Sequence, residues 1–175
     1  MTLYCGIDLH ANNCVVSVLD EQDKVLMEKR LANELSQIVD VLEGYRAELA
    51  GCVVESTYNW YWLVDGLMEA GHTVRLAHTG AIPQYAGLKY TNDHSDARHL
   101  AHLFRLGLLP EGYIQPKDHR AVRDLLRRRL LLVRQKTLHH LSLQSLIARH
   151  TGQRLSANAI KQLDNPAIAQ YLEGP

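Results

Sequence analysis

Apolar and polar residues alternate at the start of the chain. The apolar positions are Leu3, Cys5, Ile7 and Leu9, and the positions between them are Tyr4, Gly6, Asp8 and His10. A period of two residues predicts a β-strand. A second β-rich run covers residues 14–19, a polar turn follows at 20–23, and residues 24–31 form a third run. We therefore predict a meander of three antiparallel strands.

The apolar period becomes helical after the meander. Apolar and aromatic residues recur at Leu35, Ile38, Val39, Leu42, Tyr45 and Leu49. This spacing predicts a helix with Asn33 as its N-cap and Gly51 as its stop. Further along, the pattern predicts a short buried strand at 52–55, a helix around 60–68 and a strand at 73–77.

A loop that contains Gly80, Pro83 and Gly87 comes after the last of these strands. The next apolar pattern predicts a helix that begins near Asp93 and ends at Gly107. Strands that alternate with helices after a meander indicate an α/β fold with a mixed sheet, in which the later strands are parallel.

The remainder of the chain is predicted to be helical. A hinge-like stretch lies between Pro110 and Pro116, and residues 118–150 contain neither glycine nor proline. They predict about 50 Å of unbroken helix, which ends at Gly152, with short helices from Ser156 and Pro166. Leucine occurs on almost every side of the long helix, so we expect it to be covered on more than one side.

The leucines of the long helix also predict self-association. Leu125, Leu132 and Leu146 are separated by multiples of seven residues. Because histidine and serine interrupt this heptad pattern, we predict an irregular, coiled-coil-like pairing of helices in a homodimer or higher oligomer.

The composition is that of an ordinary globular protein. Hydrophobic residues make up 46% of the chain and charged residues 22%, which argues against wholesale disorder. No apolar run is long enough for a membrane helix, and the first residues do not resemble a signal peptide. The three cysteines form no C-x-x-C motif, which argues against a disulfide framework and a structural zinc site. We expect a cytoplasmic protein without a membrane partner.

A net charge of zero conceals an asymmetry between the two parts of the chain. Residues 1–110 contain 8 Lys and Arg against 14 Asp and Glu, whereas residues 111–175 contain 11 against 5. A basic helical segment is typical of a nucleic-acid partner, although basic residues on a helix often form only a solvated face. The residues that we expect to contact a phosphate backbone are Arg120, Arg123, Arg127, Arg128, Arg134 and Lys136.

Four carboxylates of the first part are placed to form a metal site. Asp8 and Glu55 end predicted strands, and strand ends of one sheet meet at one edge. Asp93 and Asp96 are three residues apart, on one face of a first helical turn. Four such groups stay ionised together only with a compensating cation. Mg²⁺ (or Mn²⁺) suits oxygen ligands, and two ions would catalyse phosphoryl transfer.

Three segments resemble the acidic motifs of a known family, the DEDD transposases. They are Gly6-Ile7-Asp8-Leu9-His10, Val53-Val54-Glu55-Ser56-Thr57, and the block from Lys89 to Ala101 with Asp93-His94-Ser95-Asp96-Ala97 at its centre. These bacterial insertion-sequence recombinases are related to the Piv invertase. The resemblance covers about residues 2–160 and implies an RNase H-like (RuvC-like) domain in which Asp8, Glu55, Asp93 and Asp96 are the catalytic, metal-binding tetrad.

The resemblance also implies DNA as the substrate, strand cleavage and transfer as the reaction, and an element-encoded guide RNA as a partner. Under this reading residues 1–110 are a RuvC-like catalytic domain, and residues 111–175 are a basic, leucine-rich segment for dimerisation and nucleic-acid contact. Family members continue into a C-terminal domain with a catalytic serine. The 175 residues do not contain that domain, so we expect them to be incomplete for full recombinase activity.

Two other functions remain open at this stage. One is a self-contained RuvC-like junction nuclease, and the other is a non-catalytic dimer that binds RNA or DNA and uses its carboxylates only as structure. An actin-like sugar kinase is excluded, because Leu9-His10-Ala11-Asn12-Asn13 lacks the glycine and hydroxyl donors that cradle phosphate in that fold.

Overall fold

The first three strands form the predicted antiparallel meander. The computed structural model describes residues 1–82 and 92–163, together with residues 166 and 171. Strand β1 covers Leu3–Leu9, β2 covers Asn13–Leu19 and β3 covers Val25–Ala32. Both β1 and β3 pair with β2 in antiparallel register.

Within the part of the chain that the structure describes, three further strands complete a mixed sheet of six. Strand β4 (Leu49–Glu55) is parallel to β1, β5 (Val74–Ala77) is parallel to β4, and β6 (Glu111–Gly112) is antiparallel to β5. The strand order is β3-β2-β1-β4-β5-β6. A meander that continues into parallel strands beside β1 is the arrangement of the RNase H-like fold, so the predicted fold class is confirmed.

Helices cover both faces of the sheet. Helix α1 covers Leu35–Glu43, α2 covers Tyr61–Glu69 and α3 covers Asp93–Arg105, with a 3-10 turn at Thr79–Ala81. The odd-numbered residues of β1 belong to the core that includes the apolar side chains of α1 and α2. The even-numbered residues face α3, and Tyr4 packs edge-on against Phe104. Strand β1 is therefore buried on both faces, although its alternating pattern is typical of a half-buried strand.

Helix α1 ends earlier than the sequence pattern predicts. It ends at Glu43 rather than near Gly51, and Leu49 belongs to β4, where it pairs with Leu3. Gly44 favours the early stop because glycine is a poor helix former. The predicted Asn33 cap is also wrong, because the side chain of Asn33 donates to backbone carbonyls of residues 10 and 11.

The stretch between Pro110 and Pro116 contributes a short strand that the sequence pattern does not predict. Its residues Glu111 and Gly112 form β6 at the edge of the sheet, a pairing too short to leave a sequence signal. Three predicted features lie wholly or partly outside the described residues. They are the part of the loop that contains Pro83 and Gly87, residues 89–91 of the third acidic motif, and most of the helix predicted from Pro166.

Helix α4 covers Lys117–Thr151 as one unbroken element of 35 residues. It ends as predicted at Gly152, whose φ of 70° suits a left-handed cap. Helix α5 (Ala157–Gln162) follows, with Ser156 as its N-cap. None of the described helices combines the length and apolar character that crossing a membrane requires.

The chain divides into two compact units, Met1–Ile114 and Gln115–Pro175. In the second unit, the side chains of α4 are largely exposed, and Ile147 is the one apolar residue of this helix that is buried. Exposed leucines include Leu125 at 69% and Leu138 at 65%. The functions predicted for residues 1–110 and 111–175 stay predictions.

Candidate metal centre

Strand β1, which lies inside the sheet between β2 and β4, carries a buried carboxylate near its C-terminal end. Asp8 is only 3% exposed, and its Oδ2 atom has no hydrogen-bond partner among the described residues. Asp8 lies on the same face of β1 as Gly6, two residues away, and this face is turned to α3. Glu55 ends the neighbouring parallel strand, one residue beyond the pairing of Ile7 with Val54. The two carboxylates therefore lie side by side.

Gly6 allows α3 to lie directly on β1. A Cβ atom at this position would collide with the carbonyl oxygen of Ala97 and would lie 2.7 Å from the backbone nitrogen of Ala101. Helix α3 begins at Asn92, whose side chain accepts from the backbone N–H of Ser95 in a capping box. The close contact and the cap together place the first turn of α3, with Asp93 and Asp96, beside the end of β1.

The four carboxylates interact electrostatically. Burial raises the pKa of Glu55 to about 8, helped by a hydrogen bond to Asp8 and by the charges of Asp8 and Asp96. Burial and the charges of Asp8 and Asp93 also raise the pKa of Asp96. The structure thus brings the four residues of the predicted tetrad into one cluster, in which full ionisation is unfavourable without a cation.

Two cationic or titratable side chains adjoin this cluster and were not among the predicted site residues. His10 Nε2 lies 3.1 Å from Asp8 Oδ2 and 3.3 Å from Asp93 Oδ2. Arg30 Nη2 donates to Asp93 Oδ2 at 2.5 Å, which lowers the pKa of Asp93. His10 had a sequence signal, since it follows Asp8 by two residues on the same face of the strand. Arg30 had none, because only the folded meander brings β3 near α3.

The outer side of α3 is held on the meander by ion pairs of arginines and by hydrogen bonds of histidines. His94 and Arg98 contact Glu28 at 2.8 Å each. Nearer the C-terminal end of α3, His102 and Arg105 contact Asp23 in the turn between β2 and β3, at 2.9 Å and 2.5 Å. Together with the Arg30 contact, these pairs fix the helix that carries two of the four carboxylates.

The donor set fits a divalent cation. Carboxylate oxygens are the ligands that Mg²⁺ and Mn²⁺ accept, and a cation removes the repulsion that opposes ionisation of Glu55 and Asp96. Asp8, His10 and Asp93 each offer one ligand atom, and these three atoms lie within 4.8 Å of one another.

The raised pKa of Glu55 predicts how stability depends on pH. Between about pH 4.5 and 8 the folded protein holds a proton on Glu55 that the unfolded chain releases. The free energy of unfolding should therefore fall as pH rises through this range. Urea unfolding in EDTA at several pH values measures the slope, and Glu55→Gln should make it shallower. Equal slopes for the two proteins would contradict the shift.

The six basic residues predicted to contact nucleic acid all lie on α4. They are Arg120, Arg123, Arg127, Arg128, Arg134 and Lys136. Arg120 is buried, and its Nε donates to the carbonyl of Gln115 at 2.8 Å. Arg123 Nη1 lies 3.7 Å from Asp124 Oδ1, and the last four residues are exposed. Their contact with nucleic acid stays a prediction.

Comparison with known proteins places this geometry in a family context. Residues 5–151 match the family model of the IS110-type DEDD transposases, described as "Transposase". A protein of Sinorhizobium fredii (strain NBRC 101917 / NGR234) named "Putative transposase y4qE" is 30% identical over 93 residues. That match covers 53% of this chain and 23% of the relative, so the chain spans less than a quarter of the relative's length.

Solved structures similar to this chain include RuvC of Thermus thermophilus. One has a TM-score of 0.46 and 14% identity, and the match covers 63% of this chain and all of that one. Another, RuvC in complex with a Holliday junction substrate, has a TM-score of 0.45 and 13% identity over 64% of this chain and all of that one. The family match over most of the chain is the decisive finding, and it shows that this chain belongs to the DEDD transposase family of the IS110 type.

Proposed function

We propose that this chain supplies the metal-dependent nuclease centre of a bacterial insertion-sequence transposase. Asp8, Glu55, Asp93 and Asp96 hold Mg²⁺ (or Mn²⁺) for DNA strand cleavage and transfer. The observation that carries the proposal is the buried Asp8, whose Oδ2 atom has no hydrogen-bond partner among the described residues while further carboxylates surround it. Such a group is costly to bury unless a cation compensates it.

Each side chain has a separate task in this proposal. A bound ion, when present, supplies Lewis-acid stabilisation of the oxygens of the reacting phosphate. Asp8 is held rigidly inside the sheet, and Arg30 keeps Asp93 ionised and oriented. Glu55, with its pKa near 8, holds a proton at neutral pH in the metal-free protein. Metal binding should therefore release a proton from this carboxyl.

We assign nucleic-acid contact and self-association to α4. Three of the arginines are separated by four and seven residues along α4, which places them on one side of the helix. They are Arg123, Arg127 and Arg134. The exposed leucines lie around the same element. Under this proposal the partners are DNA, an element-encoded guide RNA and a second copy of the chain.

The function is tested with the full-length transposase. We expect it to cleave DNA in Mg²⁺ or Mn²⁺, and to lose cleavage in EDTA while it still binds DNA. A junction nuclease would need no further domain, so cleavage of branched DNA by residues 1–175 alone would favour that second function. Binding without any metal-dependent cleavage by the full-length protein would favour the non-catalytic dimer.

Binding of nucleic acid by residues 1–175 should depend steeply on salt. Each phosphate that a basic side chain neutralises releases counterions, so affinity should fall between about 50 and 200 mM salt. Arg127→Gln combined with Arg134→Gln should weaken binding and reduce the slope by about 2. Fluorescence anisotropy with labelled DNA and RNA measures both effects, and Lys161→Gln on α5 is the matched control. A salt-independent affinity would contradict the assignment.

The chain should form dimers through α4. We expect a mass near 40 kDa by light scattering at micromolar concentration, against 19.8 kDa for one chain. Leu132→Glu together with Leu146→Glu should give monomers with a folded sheet, because an interface that buries an unpaired charge loses several kcal/mol. Ser142→Glu, an exposed polar position of the same helix, should leave the dimer intact. A wild-type mass near 20 kDa would contradict this prediction.

A further inference from the structure

We propose that His10 is a direct ligand of the metal, and that its nitrogen makes the centre prefer Mn²⁺ to Mg²⁺. This inference rests on the proposed function, because it concerns the same metal centre. It assigns a ligand outside the four carboxylates, and it identifies which class of divalent ion the centre selects.

The first support is the position of the ligand atoms. His10 Nε2 lies 3.1 Å from Asp8 Oδ2 and 3.3 Å from Asp93 Oδ2. Neighbouring ligands of an octahedral ion with bonds of about 2.1 Å are about 3 Å apart. The imidazole nitrogen therefore already lies at the separation from both oxygens that shared coordination requires.

The second support is that the two inner atoms lie close together without forming a hydrogen bond. His10 Nε2 and Asp8 Oδ2 are both buried, and neither has a hydrogen-bond partner of good geometry among the described residues. Their short separation is thus a contact without hydrogen-bond alignment. Buried polar atoms without a hydrogen bond are rare in native proteins, and coordination of an ion is one of the explanations for them.

The third support is the rigid backbone of His10. Its carbonyl oxygen accepts from Asn33 Nδ2 and from Asn59 Nδ2, each at 3.0 Å. These two amides come from the segments that follow β3 and β4, and the backbone N–H of His10 donates to Asn13 at 2.9 Å. Three hydrogen bonds therefore fix the residue, which is the support that a preorganised ligand needs.

The choice of ion follows from the chemistry of the donor set. Mg²⁺ binds oxygen ligands and water, and imidazole suits Zn²⁺, Cu²⁺, Fe²⁺ and Ni²⁺ best. Mn²⁺ shares the oxygen ligands of Mg²⁺, but as a first-row transition ion it accepts an imidazole nitrogen more readily than Mg²⁺ does. The oxygens of Asp8 and Asp93 bind Mg²⁺ and Mn²⁺ alike, but the nitrogen of His10 adds affinity only for Mn²⁺. The centre should therefore bind Mn²⁺ more tightly than Mg²⁺, and His10 should be the residue responsible for the difference.

The experiment measures metal binding by residues 1–175 without any substrate. Mn²⁺ affinity is followed by the EPR signal of the free ion, Mg²⁺ affinity by competition, and the ligand by pulsed EPR, which detects nitrogen coupled to bound Mn²⁺. We expect nitrogen coupling in the wild type and none in His10→Ala. His10→Asp, which restores an oxygen ligand, should reduce the preference for Mn²⁺ by about tenfold or more.

The controls separate this inference from the proposed function. His150→Ala, at the exposed end of α4, should retain nitrogen coupling, and circular dichroism establishes that each variant is folded. If Mn²⁺ binds without nitrogen coupling and Asp8→Asn abolishes that binding, the carboxylate centre stands and the role of His10 is overturned. If Asp8→Asn binds Mn²⁺ as the wild type does, or if the wild type binds none, the proposed centre fails and this inference fails with it.

Discussion

Gly6→Ala should lower the free energy of unfolding by about 3 kcal/mol, because a Cβ at this position would collide with the backbone of α3. The added Cβ would collide with the carbonyl oxygen of Ala97 and the backbone nitrogen of Ala101. Both are backbone atoms of a helix, so no side-chain rotation can relieve the collision. Relief is possible only if α3 moves away from β1. That movement also separates Asp93 and Asp96 from Asp8.

Two measurements check this prediction. Urea unfolding should show the loss of stability, and Mn²⁺ binding under native conditions should weaken because the ligands are drawn apart. Gly44→Ala is the matched control, since nothing lies within 4 Å of its added Cβ and its φ of −63° suits alanine. That variant should equal or exceed the wild type in stability. A Gly6→Ala protein as stable as the control would show that α3 is not pressed against the strand.

Asp8→Asn should abolish the stabilisation of the fold by divalent metal without loss of metal-free stability. Asparagine has nearly the same shape, but it removes one negative charge from a crowded, buried cluster. The pKa of Glu55, which Asp8 helps to raise, should fall as a result. For the wild type, an ion at 100 times its dissociation constant adds about 2.7 kcal/mol to the free energy of unfolding.

The comparison requires thermal unfolding in EDTA and in Mn²⁺. The wild type should gain melting temperature with the metal, and Asp8→Asn should not. Asp40→Asn, at an exposed position of α1, should respond to Mn²⁺ as the wild type does. The full-length transposase with Asp8→Asn should also lose strand cleavage. A normal metal response in Asp8→Asn would contradict the central role of this carboxylate.

The meander, the parallel strands after it, and the positions of the four acidic residues at strand ends and at a helix start could be predicted from the sequence, because local signals agree with the tertiary structure there. The alternation in residues 3–9 and the helix stop at Gly107 are such signals. The end of α1 was not accessible, since Tyr45 and Leu49 continue its helical spacing while the pairing of Leu49 with Leu3 draws the chain into β4. Arg30 was inaccessible for a related reason. Its contact with Asp93 joins segments 63 residues apart, and no local pattern records such a pairing.

The separation of the acidic residues along the chain has a consequence for synthesis on the ribosome. Asp8 and Glu55 belong to neighbouring strands, but the first turn of α3 is translated much later, and the ion pairs that hold this helix extend to Arg105. At about 5–20 residues per second, roughly 5 to 20 seconds pass between the translation of Asp8 and that of Arg105. A nascent chain in this interval lacks part of the proposed set of ligands. The proposed metal centre is therefore incomplete until α3 has emerged and packed on Gly6.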